Sequence, residues 1–148
     1  MKRAAMVLLL VASMALQSGC AGSRLSSAAI DGDLQQVQEL VKSGQKVNEI
    51  DKWGWTPLLW AVYYGNFPVT RWLLDNGADP NLKSELTYGN YKPGTTPLIL
   101  AAAYGHHDAA KALLEKKADR NIVDRSGKKA IDYAEQYQFE KVIALLKK

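Results

Sequence analysis

The side chains best equipped for chemistry in this chain are few, and their spacing works against them. The two histidines, His106 and His107, are adjacent. Two imidazoles share a metal on one helix face when they stand four residues apart, whereas neighbours point to different sides. Cys20 is the single cysteine, so no disulfide can form within the chain. Nothing around it supplies the helix terminus or cationic pocket that makes a thiol nucleophilic. Asp31, Asp33 and Asp51 fall at cap or turn positions, and no two carboxylates are placed to share a cleft. No nucleophile elbow, phosphate-binding loop or Gly-rich dinucleotide motif occurs. The expectation is a protein that is not an enzyme, with no catalytic residue, no metal and no cofactor.

The elements that position these residues sit in a chain of 148 residues, 47% hydrophobic and 23% charged. That length and balance suit one ordinary soluble domain. No apolar run of membrane-spanning length occurs beyond the first twenty residues. Residues 1–20 read MKRAAMVLLLVASMALQSGC. Lys2 and Arg3 form a positive start, Ala4 to Leu16 an apolar core of signal-peptide length, and Ser18-Gly19-Cys20 a small-residue processing site. The segment resembles a bacterial lipoprotein signal, although Gln17 stands where that family usually has Leu and Leu16 lies one residue earlier. The resemblance implies removal of residues 1–19, a lipid on Cys20, a linker over 20–23, and a periplasmic product on the outer or inner membrane. Ala21, in place of Asp, implies the outer membrane. Cleavage after Ala21 to give a free periplasmic product, or an uncleaved anchor, stays open. Without Lys2 and Arg3 the basic residues nearly balance the 15 acidic ones, which argues against nucleic acid as a partner.

The stretch Gly54-Trp55-Thr56-Pro57-Leu58-Leu59-Trp60-Ala61 returns as Gly94-Thr95-Thr96-Pro97-Leu98-Ile99-Leu100-Ala101. Each copy leads to a glycine, Gly65 or Gly105, then to Leu73-Leu74 or Leu113-Leu114, and closes on Ala78-Asp79 or Ala118-Asp119. Weaker copies flank them: Ala28, Gly32, Gly44 and Asn48 before, Gly127 and Ala130-Ile131-Asp132-Tyr133-Ala134 after. These residues resemble the ankyrin repeat, whose signature is Thr-Pro-Leu-His-x-Ala at a period of about 33 residues. Leu59 and Ile99 replace its histidine. The resemblance covers residues 24–148, with units over 24–50, 51–83, 84–123 and 124–148. It implies an all-α solenoid of stacked helix-turn-helix units joined by short hairpin loops.

Thr56 and Thr96 are the expected helix caps before a first-turn proline. Gly65, Gly105, Gly44 and Gly77 are expected to end helices in the left-handed conformation, with Lys117 at the place of a further glycine. Asp79 and Asp119 read as turn residues and His106 as structural, with His107 facing solvent. Thr56 to Thr96 is 40 residues, whereas Thr96 to Lys129 is 33. The excess lies within Ser84–Gly94, and its Gly, Pro, Asn and Ser content predicts a loop projecting from the hairpin edge.

Repeats of this kind bind proteins through hairpin tips and the concave side of their first helices. The register puts Lys52, Trp53 and Trp55 at one tip, and Tyr63 and Tyr64 on the exposed side of a first helix. Tyr104 and Tyr137 hold the same helix place in later units. Lys92, Thr95, Arg125, Ser126 and Lys128 occupy later tips, and Tyr88 and Tyr91 the inserted loop. Trp and Tyr offer large rigid area with a polar handle, and the lysines and arginine suit an acidic or mixed partner. Trp60 is expected in the core, and Trp72 in the core or on the convex side. The reading is a monomeric protein-interaction module of the bacterial envelope, with an unidentified protein partner and the membrane met through the N-terminal lipid. An inhibitor or immunity protein for a periplasm-acting enzyme is one alternative. A carbohydrate or peptidoglycan binder is another, disfavoured because the tips offer cations in place of carboxylates and amides.

Overall fold

A computed structural model describes residues 21–148, with side chains described from Arg24 onward. The signal-like segment and the proposed lipidation at Cys20 lie outside the described residues. The eight described helices are α1 (Ala21–Asp31), α2 (Leu34–Lys42), α3 (Pro57–Tyr63), α4 (Phe67–Asp75), α5 (Pro97–Ala103), α6 (His107–Glu115), α7 (Ala130–Gln136) and α8 (Glu140–Leu146). The odd-numbered helices pack in sequence as an inner layer, and the even-numbered ones behind them as an outer layer. The expected all-α stack of helix pairs is what the chain adopts.

Each inner helix starts where its sequence dictates. Thr56 Oγ1 accepts the Leu59 backbone N–H at 3.2 Å, and Thr96 Oγ1 accepts that of Ile99 at 3.2 Å. Pro57 and Pro97 follow, where a missing N–H costs nothing. In the last unit Lys129 cannot cap, and Asp132 instead accepts the Lys129 backbone N–H at 2.7 Å. All seven residues of α5 are buried, as are six of the seven in α3. Such helices have no face to give to water and exist only between neighbours.

The turns interlock the units. Gly105 has φ +68°, and a Cβ there would fall 2.7 Å from the Phe139 ring of the next unit. Phe139 and His106 begin the outer layer of their units, and each ring lies over the preceding unit's turn glycine. Asn66, at the same place, donates to the carbonyls of Ala29 and Ile30 at 2.8 Å. Lys117 adopts φ +64° where earlier units have glycine.

Three residues close the hairpin tips in one pattern. Asp51 donates its N–H to the Trp55 carbonyl, and its own carbonyl accepts from Gly54 N–H, both at 2.9 Å. Its Oδ1 accepts from the Trp55 N–H at 3.1 Å. Asp124 does the same with Lys128 and Gly127. Ser84 does so with Thr95 and Gly94, through Oγ. The extra residues therefore sit inside a clasp that is otherwise unchanged, and units on both sides stay in step.

The inserted loop does not project as the sequence suggested. Tyr88 and Tyr91 pair through two backbone hydrogen bonds of 3.1 and 3.0 Å. Their rings turn back onto the inner layer, where Tyr91 is buried. The reason is the apolar inner face itself: the two tyrosine rings pack on Trp55, Trp60, Tyr63, Tyr104 and Tyr133 there.

Candidate functional site

The site begins with an aromatic pair set by helix capping. Trp55 immediately precedes the Thr56 cap, and Trp60 is the fourth residue of α3. Residues so placed pack together and fix how the chain enters the helix. Their rings lie 4.6 Å apart, and both are fully buried. Thr95 and Lys128 hold the place of Trp55 in later units. Thr95 is buried, and Lys128 lays its ammonium 5.3 Å from the Tyr133 ring while bonding Gln136 at 2.8 Å. The placement of Trp55 and Thr95 on an exposed tip is therefore corrected: this position points inward because its N–H is held by the clasp residue.

Asp51 and Asp124 anchor the two ends of the site. Asp51 accepts from the Trp53 and Trp55 N–H groups and from Trp60 Nε1 at 2.6 Å. Asp124 is buried and accepts from Tyr133 Oη at 2.6 Å. Burial alone would raise the Asp124 carboxyl. Hydrogen bonds from Ser126, Tyr133 and the Lys128 backbone outweigh it and hold the group below the ordinary aspartate value.

Between these ends the loop tyrosines complete the floor. Tyr88 meets Trp60 at 4.6 Å, Trp55 at 5.3 Å and Tyr63 at 5.7 Å, each edge to face. Tyr91 meets Tyr104 at 5.8 Å and Tyr63 at 6.0 Å. Edge-to-face rings gain about 0.5–1.5 kcal/mol per pair beyond the area they bury. Hydrogen bonding to Tyr104, then burial, pushes the Tyr63 phenol up to about 12. Burial, then hydrogen bonding to Tyr91, pushes Tyr104 up to about 12 as well. Trp55 Nε1, buried beneath Tyr88, has no hydrogen-bond partner.

Above this floor stand the rings that reach solvent. Tyr64, Tyr104 and Tyr137 are 48%, 39% and 50% exposed. They are the residues that cap the C-terminal ends of α3, α5 and α7, so they recur once per unit along the inner face. Tyr63 is half-buried beside them and supports Tyr64 and Tyr104 at 5.0 and 5.3 Å. Asp31 holds the corresponding place on the first unit and ends the row with a charge.

The remaining assignments divide. Lys52, Trp53, Lys92 and Arg125 are exposed on the tip edge. Lys128 is half-buried, and Tyr88 and Tyr91 belong to the floor, so these three are not free contacts. Trp60 is in the core as expected, and Trp72 is half-buried against it on α4. His106 is half-buried and stacks on Tyr104 at 5.7 Å, with burial lowering its pKa. Among the described residues no cluster of His, Cys, Asp and Glu is placed to hold a metal. Sequence reasoning placed Asp51 in a cap or turn, as found, but missed its counterparts Ser84 and Asp124 and the inward turn of Trp55. The spacing Trp55-Thr56 to Trp60, which is that of a capping pair, was the available signal.

A family described as "Ankyrin repeats (many copies)" matches residues 25–74 and 58–107, and one described as "Ankyrin repeats (3 copies)" matches residues 85–148. The chain is 41% identical over 58 residues to "Ankyrin repeat, SAM and basic leucine zipper domain-containing protein 1" of Carollia perspicillata, covering 39% of this chain and 12% of that protein. It is 41% identical over 64 residues to the "2-5A-dependent ribonuclease" of Mus musculus, covering 43% and 9% respectively. It is 42% identical over 55 residues to the "DNA-binding protein RFXANK" of Homo sapiens, covering 36% and 21%. The match spans only a small part of each relative's length.

Proposed function

The chain belongs to the ankyrin-repeat family, whose repeats mediate protein–protein interaction, and from that premise we propose a non-enzymatic binding module of the bacterial envelope that holds one protein partner against its inner face. The row of Tyr64, Tyr104 and Tyr137 carries the reading. Each is half-exposed at a helix end whose backbone asks for no aromatic residue, and each sits on a floor already packed. Rigid rings with a hydroxyl at the rim gain contact area at little entropic cost, which is how such residues dominate interfaces. The envelope assignment is supported by the positive start, apolar core and Ser18-Gly19-Cys20 of the first twenty residues. Growth with a fatty-acid analogue tests the lipid: label on the chain that disappears in Cys20→Ser supports it, and no label on the unaltered chain rejects it.

Site-specific crosslinking in the native host tests the inner face. A photoreactive residue is placed at Tyr64, Tyr104 or Tyr137 in turn, and at Lys111 on the outer layer. The expected result is one common adduct from the three inner positions, absent from Lys111. Adducts from Lys111 alone, or from none of the four, would overturn the assignment.

A further inference from the structure

The tip edge carries a second surface that the inner face does not use. Trp53 and Leu86 are each 52% exposed. They belong to neighbouring tips, but Leu86 lies on Gly54, next to Trp53: a Cβ at Gly54 would fall 2.7 Å from the Leu86 nitrogen and 2.9 Å from its Cγ. Gly54 thus lets Leu86 stand against the residue that follows Trp53, and the two exposed apolar side chains share this edge. Lys52 holds its ammonium 5.2 Å from the Trp53 ring. Lys52, Lys83, Lys92 and Arg125 are exposed along the same edge, and none makes an ion pair with a described residue. The acids are mostly turned away. Asp51 and Asp124 spend their oxygens on the clasps and on Trp60 and Tyr133, leaving Glu49 and Glu85.

The first described helix also begins on this edge. The inner helices run parallel, and each begins at its tip, as Trp55-Thr56-Pro57 shows. Ala28 is in register with Ala61, so α1 begins at Ala21 on this same edge.

We infer that the tip edge rests on an anionic bilayer surface, with Trp53 and Leu86 in the headgroup region and the four cations on lipid phosphates. An exposed Trp beside an aliphatic side chain, ringed by lysines, is the chemistry of interfacial binding. This inference rests on the envelope reading, and assigns to the bilayer the Lys52, Trp53, Lys92 and Arg125 that the sequence offered to a protein partner. It leaves Tyr64, Tyr104 and Tyr137 open to that partner.

The test uses the protein as purified from its host, with vesicles of phosphatidylcholine alone or of equal parts phosphatidylcholine and phosphatidylglycerol, each with brominated acyl chains. The emission lost in Trp53→Phe isolates Trp53. The expected result is quenching of that emission in the anionic vesicles well beyond the neutral ones, relieved by high salt. The pair Lys52→Glu and Lys92→Glu, with helix content checked by circular dichroism, should remove the excess quenching of Trp53 in the anionic vesicles. No quenching, equal quenching on both vesicles, or a Trp53 response to polyglutamate alone would overturn it, the last pointing to an acidic protein. Cell fractionation reads the envelope assignment separately: a cytosolic chain removes that reading and leaves the vesicle result intact.

Discussion

At the scale of single residues, the molecule separates rings that build from rings that present. Trp55, Trp60, Tyr88 and Tyr91 are spent on the packed floor, whereas Trp53, Tyr64, Tyr104 and Tyr137 keep 39% or more of their surface in solvent. Asp51 decides the first group, since it receives two backbone N–H groups and the Trp60 indole. Asp51→Ala would leave those donors unpaired and should cost about 3 kcal/mol in urea unfolding, with a change in near-ultraviolet circular dichroism. The tyrosines report on pH. Tyr63 and Tyr104 are raised in the folded state, so the stability they contribute is whole below the ordinary tyrosine value and is lost as pH climbs toward 12. Phenolate absorbance should show Tyr63→Phe and Tyr104→Phe each removing one late-titrating group, with the midpoint of alkaline unfolding moved.

At the scale of elements, what the sequence revealed depended on how local the cause was. The caps at Thr56 and Thr96 and the turns at Gly65 and Gly105 follow from residue type and period, and they stand as expected. Lys117 belongs with them: it holds φ +64° with a side chain, so Lys117→Gly should stabilise by about 1 kcal/mol and raise Tm by about 3 °C in calorimetry. The course of the inserted loop was not legible, because it depends on a surface assembled from α3, α5 and α7. Turn-forming composition marks a loop without saying whether it reaches into solvent or folds onto the protein. Removing residues 86–92 would restore the period of the other units. The shortened chain should still fold, but with Trp55 and Trp60 uncovered, a red-shifted tryptophan emission and new binding of an apolar dye. An unchanged emission would mean that Tyr88 shields nothing.

At the scale of the whole molecule, stability passes from unit to unit through the turns and the asparagine ladder. Asn48 accepts from the Asp79 N–H at 2.9 Å, and Asn81 accepts from that of Asp119 at 2.8 Å. A stack held by neighbours alone loses its ends first when a junction is weakened. Gly105→Ala drives a methyl into the Phe139 ring, whereas Gly77→Ala meets nothing within 4 Å. Hydrogen exchange should therefore show α7 and α8 losing protection ahead of α3 and α5 in Gly105→Ala, with a larger fall in stability than in Gly77→Ala. Equal effects would mean that the turn contact does not hold the last unit.

The closure made by Ser84, Gly94 and Thr95 uncouples the length of what it encloses from the alignment of what lies on either side. A segment of different size or sequence spliced between those residues would be carried as cargo, its reach across the inner face adjustable while the helices keep their partners. The chain thus owns a port at which its recognition surface can be rewritten without redesigning the scaffold.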